Sequence, residues 1–430
     1  MSSPLRIGIA GLGTVGGGAL KILSAQKELL ASRCGRELVL AGVSARDRKK
    51  NRGVDLSNVT WFDDPVAMAS DPGIDLIVET IGGSEGPARA LVEAALANGK
   101  SVVTANKALI AHHGVALAKL AEKSGAMLAF EAAVAGGIPI IKALRDGLAA
   151  NEFKRIAGIL NGTCNYILTT MWNEKRGFDE VLAEAQAKGY AEADPSFDID
   201  GIDTAHKLAI LTSLAYGSAP AIDQVSVEGI RRVSLRDMEF ADELGYAIKL
   251  LGIARMTERG IEQRVHPCMV AKQSQLATIA SAFNAVLVEG DAVGTVLFEG
   301  RGAGEGPTAS SVVADIMDIA RGVKYHAFTL PVSALKTPRF ADMADLRCSY
   351  YLRLSVVDKP GVLSDVTAIF KTEKISMRSV IQHSHNPGEV VQLVVTTHEA
   401  LESSMLKALG SIEKLESIKE KPYMIRIESV

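Results

Sequence analysis

Short apolar runs alternate with glycine turns and helix-length segments through the first third of the chain. Residues 5–10 are apolar at nearly every position and meet Gly11-Leu-Gly13-Thr-Val-Gly16, after which Leu20, Leu23, Leu29 and Leu30 recur at helical spacing. The pattern predicts a strand, a glycine turn and one helix through Leu30. Residues 38–43, 75–80, 101–104 and 127–134 predict four further strands. A helix over 87–98, stopped by Gly99, and another over 111–123 lie among them. This alternation implies a parallel sheet whose ligands gather at the carboxyl ends of its strands.

From about residue 150 the rhythm changes. Residues 155–160 read as a strand, Asn161-Gly-Thr-Cys-Asn165 as a turn opening a helix, and 203–216 as a helix with Leu208, Leu211 and Leu214 on its apolar face. Residues 286–289 and 294–298 alternate as antiparallel strands do. A helix over 309–320 follows, and the segment 309–335 is expected to pack back on the N-terminal unit. Residues 336–348, with Pro338, read as a linker. The remainder spells β-α-β-β-α-β, with Asp358-Lys-Pro-Gly361 as its first turn. The expected class is α/β: a Rossmann-type nucleotide-binding domain over 1–149, a mixed α+β substrate and oligomerisation domain over 150–308, and a small regulatory-type module over 350–430.

Composition narrows the function classes. At 430 residues the chain exceeds one typical core. A formal net charge of −3 gives no reason to expect nucleic acid or an anionic membrane as partner. Cys34, Cys164, Cys268 and Cys348 form no Cys-x-x-Cys pair, so neither structural zinc nor a disulfide framework is expected; reduced thiols and a cytoplasmic location are. Residues 1–5 lack a cationic start, and no apolar run approaches the ~18 residues of a membrane span.

The glycine turn sits between a strand and a helix, the context in which Gly11 permits the tight turn, Gly13 lets backbone approach a pyrophosphate and Gly16 lets helix pack on strand. After the second strand come Ser44, Ala45, Arg46, Asp47 and Arg48. The basic and hydroxyl groups suit a ribose 2′-phosphate, so NADP(H) is the expected cofactor, while Asp47 keeps NAD(H) open. Lys107 follows the fourth strand and is delivered to the cofactor cleft. Glu131 stands in an apolar segment and needs a partner. A second glycine-rich turn, 299–308, lets backbone pass close to a ligand or to another segment.

The most acidic stretch runs from Gly189 to Lys207 and carries Glu192, Asp194, Asp198, Asp200 and Asp203. A calcium loop begun at Ser196 would place Lys207 where a bidentate Glu must sit, which excludes it. Two readings remain: Asp203 and Lys207 form an ordinary surface ion pair four residues apart, or the carboxylates grip a substrate ammonium while Lys207 moves a proton at a pKa lowered by partial burial. Cys164 could in principle act as the nucleophile of an acylating semialdehyde dehydrogenase, against a plain buried residue at a helix start, and His206 reads equally well as a surface residue.

Taken together, Gly11–Gly16, Thr104-Ala-Asn-Lys107, Glu131-Ala-Ala-Val-Ala-Gly-Gly-Ile-Pro139, Asn161–Asn165, Gly189–Lys207 and Gly302–Ser310 resemble the homoserine dehydrogenases in type and order, and the tail resembles an ACT domain. The resemblance implies reversible NAD(P)-dependent interconversion of L-homoserine and L-aspartate 4-semialdehyde in threonine, methionine and isoleucine biosynthesis. It implies Lys207 and Lys107 beside the reacting oxygen, and Glu192, Asp198 and Asp203 around the substrate. Gly11, Gly13, Thr14, Val15, Gly16, Arg46, Lys107, Gly304 and Gly306 would meet the cofactor. A sodium-like monovalent cation would be held by Glu131 and the backbones of Val134, Gly136 and Ile138. It further implies a homodimer or homotetramer and an amino-acid effector, threonine by analogy, bound between ACT modules. A non-catalytic nucleotide and amino-acid sensor is the contrasting reading, which the lysine pair disfavours.

Overall fold

The structure is a computed structural model that describes residues 3–383 and 386–429; Met1 and Ser2, part of the N-terminal reading above, lie outside the described residues. The first sheet is parallel and six-stranded. Its strands are β1 (Leu5–Ala10), β2 (Leu38–Ser44), β3 (Thr60–Trp61), β4 (Leu76–Glu79), β5 (Ser101–Thr104) and β6 (Leu128–Ala129), in the order β3-β2-β1-β4-β5-β6. The order reverses beside β1, where a doubly wound sheet opens the crevice that takes a dinucleotide. Ile7, Ile9, Leu76, Ile77 and Val78 are fully buried, as both faces of such a sheet require.

The second sheet is mixed. Its strands are β7 (Phe153–Ile159), β8 (Ser226–Val227), β9 (Tyr246–Thr257), β10 (Gly260–Ala271), β11 (Phe283–Gly290), β12 (Gly294–Arg301), β13 (Arg347–Val357), β14 (Met377–Ile381), β15 (Val390–Thr397), β16 (Ala400–Leu401) and β17 (Tyr423–Glu428). The main path runs β12-β11-β7-β9-β10-β17-β13-β15-β14, with β8 on β10 and β16 on β13. The C-terminal βαββαβ unit has its own core around Tyr350, Leu354, Val366, Phe370 and Met405. Its last strand nevertheless pairs in parallel with β10, Cys268 opposite Arg426, so catalytic and C-terminal strands share one hydrogen-bonded sheet.

Three elements depart from the sequence pattern for local reasons. The helix expected to run through Leu30 is two helices, Thr14–Ala25 and Lys27–Cys34, because Gln26 leaves helical geometry at φ −114°. The fifth strand ends at Ala129; Glu131–Ala133 is a 3₁₀ turn, since the Glu131 carboxylate is drawn to the backbone at Ile141 and Lys142. The helix Glu305–Ala320 packs on Thr14–Ala25 and buries Ala309, Val312 and Ile316 with Leu20 and Ala19, but stops before Gly322. It returns the chain from the second unit to the first.

Candidate active site

Gly11 holds φ +93°, and a Cβ there would lie 2.5 Å from the Thr80 carbonyl group; one on Gly16 would lie 2.0 Å from the Gly11 oxygen. Thr80 Oγ1 donates to that same oxygen at 2.5 Å. The turn therefore needs both glycines. No side chain caps the helix Thr14–Ala25 at Gly13, which leaves its first N–H groups and the positive end of its dipole for a phosphate. A cleft of about 510 Å³ continues from Gly11 and Gly13 past Ser44, Arg46, Lys50 and Arg52. The Asp47 carboxylate accepts from the backbone N–H of Lys49 at 2.9 Å and of Lys50 at 3.2 Å, so it is turned onto its own loop.

The chemistry-bearing side chains meet across the two sheets. Lys107 opens the helix Lys107–Ser124 just past β5, where Asn106 Oδ1 accepts the Leu109 N–H and fixes the helix start. Its Nζ lies 2.9 Å from Asp203 Oδ1. Lys207, four residues after Asp203 in the helix Ile202–Tyr216, donates to Asp203 Oδ2 at 2.7 Å and to the Leu160 carbonyl at 2.7 Å. Asn161 donates from one amide nitrogen to Asp198 Oδ1 and Asp203 Oδ2, both at 2.8 Å, while its oxygen caps the helix Gly162–Glu174 at Cys164. The Asp203 side chain is only 5% exposed, so Asp203 and Lys207 are not a surface pair.

Burial alone would raise the Asp203 carboxyl, but the two ammonium groups hold it well below the usual carboxylate range. Burial likewise pulls the Lys107 ammonium down. Asp203, with Asp198 and Glu192 behind it, outweighs that and leaves Lys107 above the ordinary lysine value. The Asp198 carboxyl is raised by burial and by the neighbouring Asp203.

A cleft of about 520 Å³ joins Lys107, Asp198, Asp203 and Lys207 to Val15, Gly302 and Gly304. Nucleotide turn and charged cluster thus share one cavity. Glu192 stays exposed and outside its wall, acting only through its charge on Lys107, and Gly306 lies in the first turn of the helix Glu305–Ala320, also outside the wall. Thr14 lines the adjoining cleft with Gly13 and Gly17.

Glu131 is buried, and its two oxygens accept the N–H groups of Ile141 at 2.9 Å and Lys142 at 2.8 Å. Asp315 Oδ2 accepts the Glu131 N–H at 2.8 Å, and Lys142 lies 3.3 Å from Asp315 while also pairing with Asp318. Two carboxylates thus share the Lys142 ammonium, Asp318 also pairs with Arg321 at 3.2 Å, and Glu131 has backbone donors only. Burial and the adjacent Asp315 push the Glu131 carboxyl up to about 7. Ala135 and Gly136, at φ 55° and 53°, bend the following turn back on itself, and Ser311 Oγ donates to the Gly136 carbonyl at 2.7 Å. Excess negative charge beside carbonyl oxygens fits a monovalent cation held by oxygen ligands.

Cys164 is the buried residue at a helix start rather than the nucleophile, His206 sits differently from its surface reading, and the long-range roles of Asn161 and Glu79 went unread. Cys164 is buried, its Sγ donates to the Asp198 carbonyl at 3.2 Å, and burial with the Asp198 and Asp203 charges pushes its thiol well up; that is the opposite of an activated thiolate. His206 is buried against His112, at 3.3 Å between Nε2 atoms, and burial lowers it to about 4. Asn161 was read only as part of the turn opening a helix, which it does cap, and its bonds to Asp198 and Asp203 were not. Glu79, fully buried, accepts from Thr104 Oγ1 at 2.5 Å and from the N–H groups of Ile81 and Gly82, tying the ends of β4 and β5 together. An acid closing an apolar strand was the signal for it.

Comparison with known proteins bears on this geometry. Residues 11–131 match the family model described as homoserine dehydrogenase, NAD binding domain; residues 139–317 match homoserine dehydrogenase and residues 350–415 the ACT domain. The homoserine dehydrogenase of Pseudomonas aeruginosa is 44% identical over 434 residues, covering 99% of each chain. That of Neisseria gonorrhoeae is 43% identical over 433 residues, again covering 99% of each. The crystal structure of a homoserine dehydrogenase from Thiobacillus denitrificans superposes with a TM-score of 0.94 at 45% identity, covering 99% of this chain and 98% of that one. A hyperthermophilic archaeal homoserine dehydrogenase in complex with NADPH matches at 28% identity and a TM-score of 0.65, over 76% of this chain and 100% of that one.

The charge balance yields a direct test. Replacing Asp203 by Asn removes the anion that raises Lys107 and leaves burial to dominate. Lys107 in Asp203→Asn is expected to become acylated by acetic anhydride at lower pH than in the wild type, read by mass spectrometry across a pH series. An unchanged or higher midpoint contradicts the assignment.

Proposed function

The chain belongs to the homoserine dehydrogenase family, and on that premise we propose how its residues divide the work of an NAD(P)-dependent oxidoreductase acting on a CH–OH group. The reaction interconverts L-homoserine and L-aspartate 4-semialdehyde. When bound, the nicotinamide takes or returns the hydride. The chain must then supply a proton acceptor in one direction and a donor in the other, at the substrate oxygen.

Lys207 is the proton donor and acceptor. It is buried at the cleft wall, and the Leu160 carbonyl and Asp203 fix its orientation. Lys107, kept cationic by Asp203, polarises the oxygen. Both oxygens of Asp203 are committed to the lysines and Asn161, so Asp203 orients the pair rather than gripping substrate. Asp198, with one oxygen on Asn161, takes the substrate ammonium, and the exposed Glu192 adds attraction from outside the wall. The observation that carries this reading is the single carboxylate shared by two lysines in the cavity that reaches the nucleotide turn.

Arg46 and Lys50 at the ribose end of the cleft, with one oxygen of the cleft-lining Asp47 engaged by its own loop, favour NADP(H) over NAD(H). The glycines at 11, 13 and 16 with Thr14 and Val15 receive the pyrophosphate, and Gly304 borders the nicotinamide end, with Gly306 in the helix turn behind it. Glu131 and the backbones of Val134, Gly136 and Ile138 hold a monovalent cation. The ACT domain makes the enzyme responsive to an amino acid, threonine by family analogy, in a homodimer or homotetramer. No helix among the described residues is long and apolar enough to cross a membrane, and a cytoplasmic enzyme is the reading adopted.

Lys207→Ala is expected to lower kcat for homoserine oxidation by about 10³-fold or more, with NADPH binding intact by fluorescence titration; near wild-type turnover would refute its role. Arg46→Ala is expected to raise KM for NADP⁺ by roughly tenfold and leave KM for NAD⁺ nearly unchanged, as the loss of one charge-assisted phosphate contact implies. Equal effects on both cofactors would remove the 2′-phosphate assignment. For the cation, the sign follows from Glu131: its raised carboxyl favours the folded state at low pH, and that contribution is lost as pH rises from the ordinary carboxyl range through about 7. Replacing tetramethylammonium by sodium should therefore raise Tm clearly at pH 8 and little at pH 5. The same gain at both values would speak against a cation on ionised Glu131.

A further inference from the structure

The seam between the catalytic sheet and the C-terminal module gathers ligand atoms that the catalytic cleft does not use. β10 and β17 pair over only three positions, Cys268 with Arg426, Met269 with Ile427 and Val270 with Glu428. Alternate residues of a strand share a face, so His266 and Cys268 stand beside Arg426 and Glu428.

His266 is 1% exposed and Cys268 is fully buried. The Pro267 carbonyl, which can only accept, lies 3.0 Å from His266 Nδ1 and makes that nitrogen the N–H donor. Nε2 therefore carries the lone pair, and among the described residues it is buried without a hydrogen-bond partner. Such an acceptor normally finds a donor. A carbonyl on the far ring nitrogen is also how a metal-binding histidine is usually held. Glu428 Oε1 lies 3.9 Å from Nε2, and Cys268 Sγ lies 3.2 Å from Nδ1. One ligand atom from each of His266, Cys268 and Glu428 falls within 4.8 Å of the other two. Zinc bonds of about 2.0–2.3 Å set tetrahedral ligands roughly 3.3–3.8 Å apart, so side-chain adjustment of about 1 Å closes the trio on an ion.

Two guanidinium groups stand nearby, and neither is a bare cation. Arg264 is matched by Glu262 and Glu428, and Arg426 by Glu402 and Glu228. Arg255 shares Glu262 from the rim. Four carboxylates thus face three guanidiniums, which leaves one negative charge in excess before any thiol ionises. The surroundings favour an added cation.

We propose that His266 Nε2, Cys268 Sγ and the Glu428 carboxylate bind a zinc ion, with water in the fourth position, and that this ion staples the last strand of the C-terminal module to the catalytic sheet. Imidazole, thiolate and carboxylate together suit zinc, whereas calcium and magnesium call for oxygen ligands. As the sulfur–zinc bond forms, the S–H bond breaks and its proton leaves to solvent; no electrons are transferred. Glu262 still matches Arg264 when Glu428 turns to the ion.

Untagged full-length enzyme, equilibrated with micromolar Zn²⁺ and desalted, should retain about one zinc per chain by atomic spectrometry, and zinc should raise its Tm. Loading with Co²⁺ instead should produce thiolate-to-metal absorption in the near ultraviolet. Cys268→Ser should abolish that absorption, and Glu428→Gln should weaken zinc binding tenfold or more. If Cys268→Ser does not fold, the cobalt spectrum of the wild type and the zinc affinity of Glu428→Gln decide. The site is overturned by a wild type that retains no zinc, by a cobalt complex without thiolate absorption, or by unchanged zinc affinity in Glu428→Gln.

Discussion

The Asp203 carboxylate, shared between the ammonium groups of Lys107 and Lys207, is the constraint on which the rest of the catalytic geometry depends. One anion between a buried lysine and a partly exposed one draws both side chains to the same wall of the cleft, where on the proposed reading they face the substrate oxygen. Removing any member would strand the others in low dielectric, at a penalty of several kcal/mol per unpaired ion. That penalty couples three distant segments: the start of the helix after β5, the turn after β7 and the helix Ile202–Tyr216. The lysine delivered by the nucleotide-binding sheet is held against the substrate domain by charge rather than by packing alone.

The return helix Glu305–Ala320 reinforces this junction from the other side. Its Asp315 accepts the Glu131 N–H and its Ser311 holds the Gly136 carbonyl, so the turn 131–138 is pinned by a helix that follows the second sheet in the chain. The Gly137 N–H also donates to the Arg301 carbonyl at 3.0 Å, which joins that turn to the end of β12. The catalytic cleft is therefore closed by backbone and carboxylates from both units, and the crowding of negative charge at Glu131 and Asp315 is what a bound cation would relieve.

Much of this was legible in the sequence where the signal was local. The glycine turn declared itself through the strand before it and the helix after it, and Lys107 through its place past a strand end. Asp203 was legible as important but not as the counter-ion of Lys107, because 96 residues of chain separate a pair that meets only when the two units pack. The same holds for Asn161, whose capping oxygen is a local feature and whose amide donors reach long-range partners. The fifth strand ended early where Glu131 enters a 3₁₀ turn and its carboxylate takes the backbone N–H groups of a helix start at Ile141 and Lys142, an outcome apolar periodicity cannot register. The shared sheet through β10 and β17 was hidden because each half reads as complete by itself.

A double-mutant cycle on the two lysines tests the central claim most directly. Lys107→Met, Lys207→Met and the double variant would be compared by kcat/KM for L-homoserine oxidation with NADP⁺. If Asp203 makes the lysines one unit, the double variant loses within about tenfold of the worse single variant, as residues that act together do. Losses that multiply across the two sites would show the lysines working independently and contradict the account.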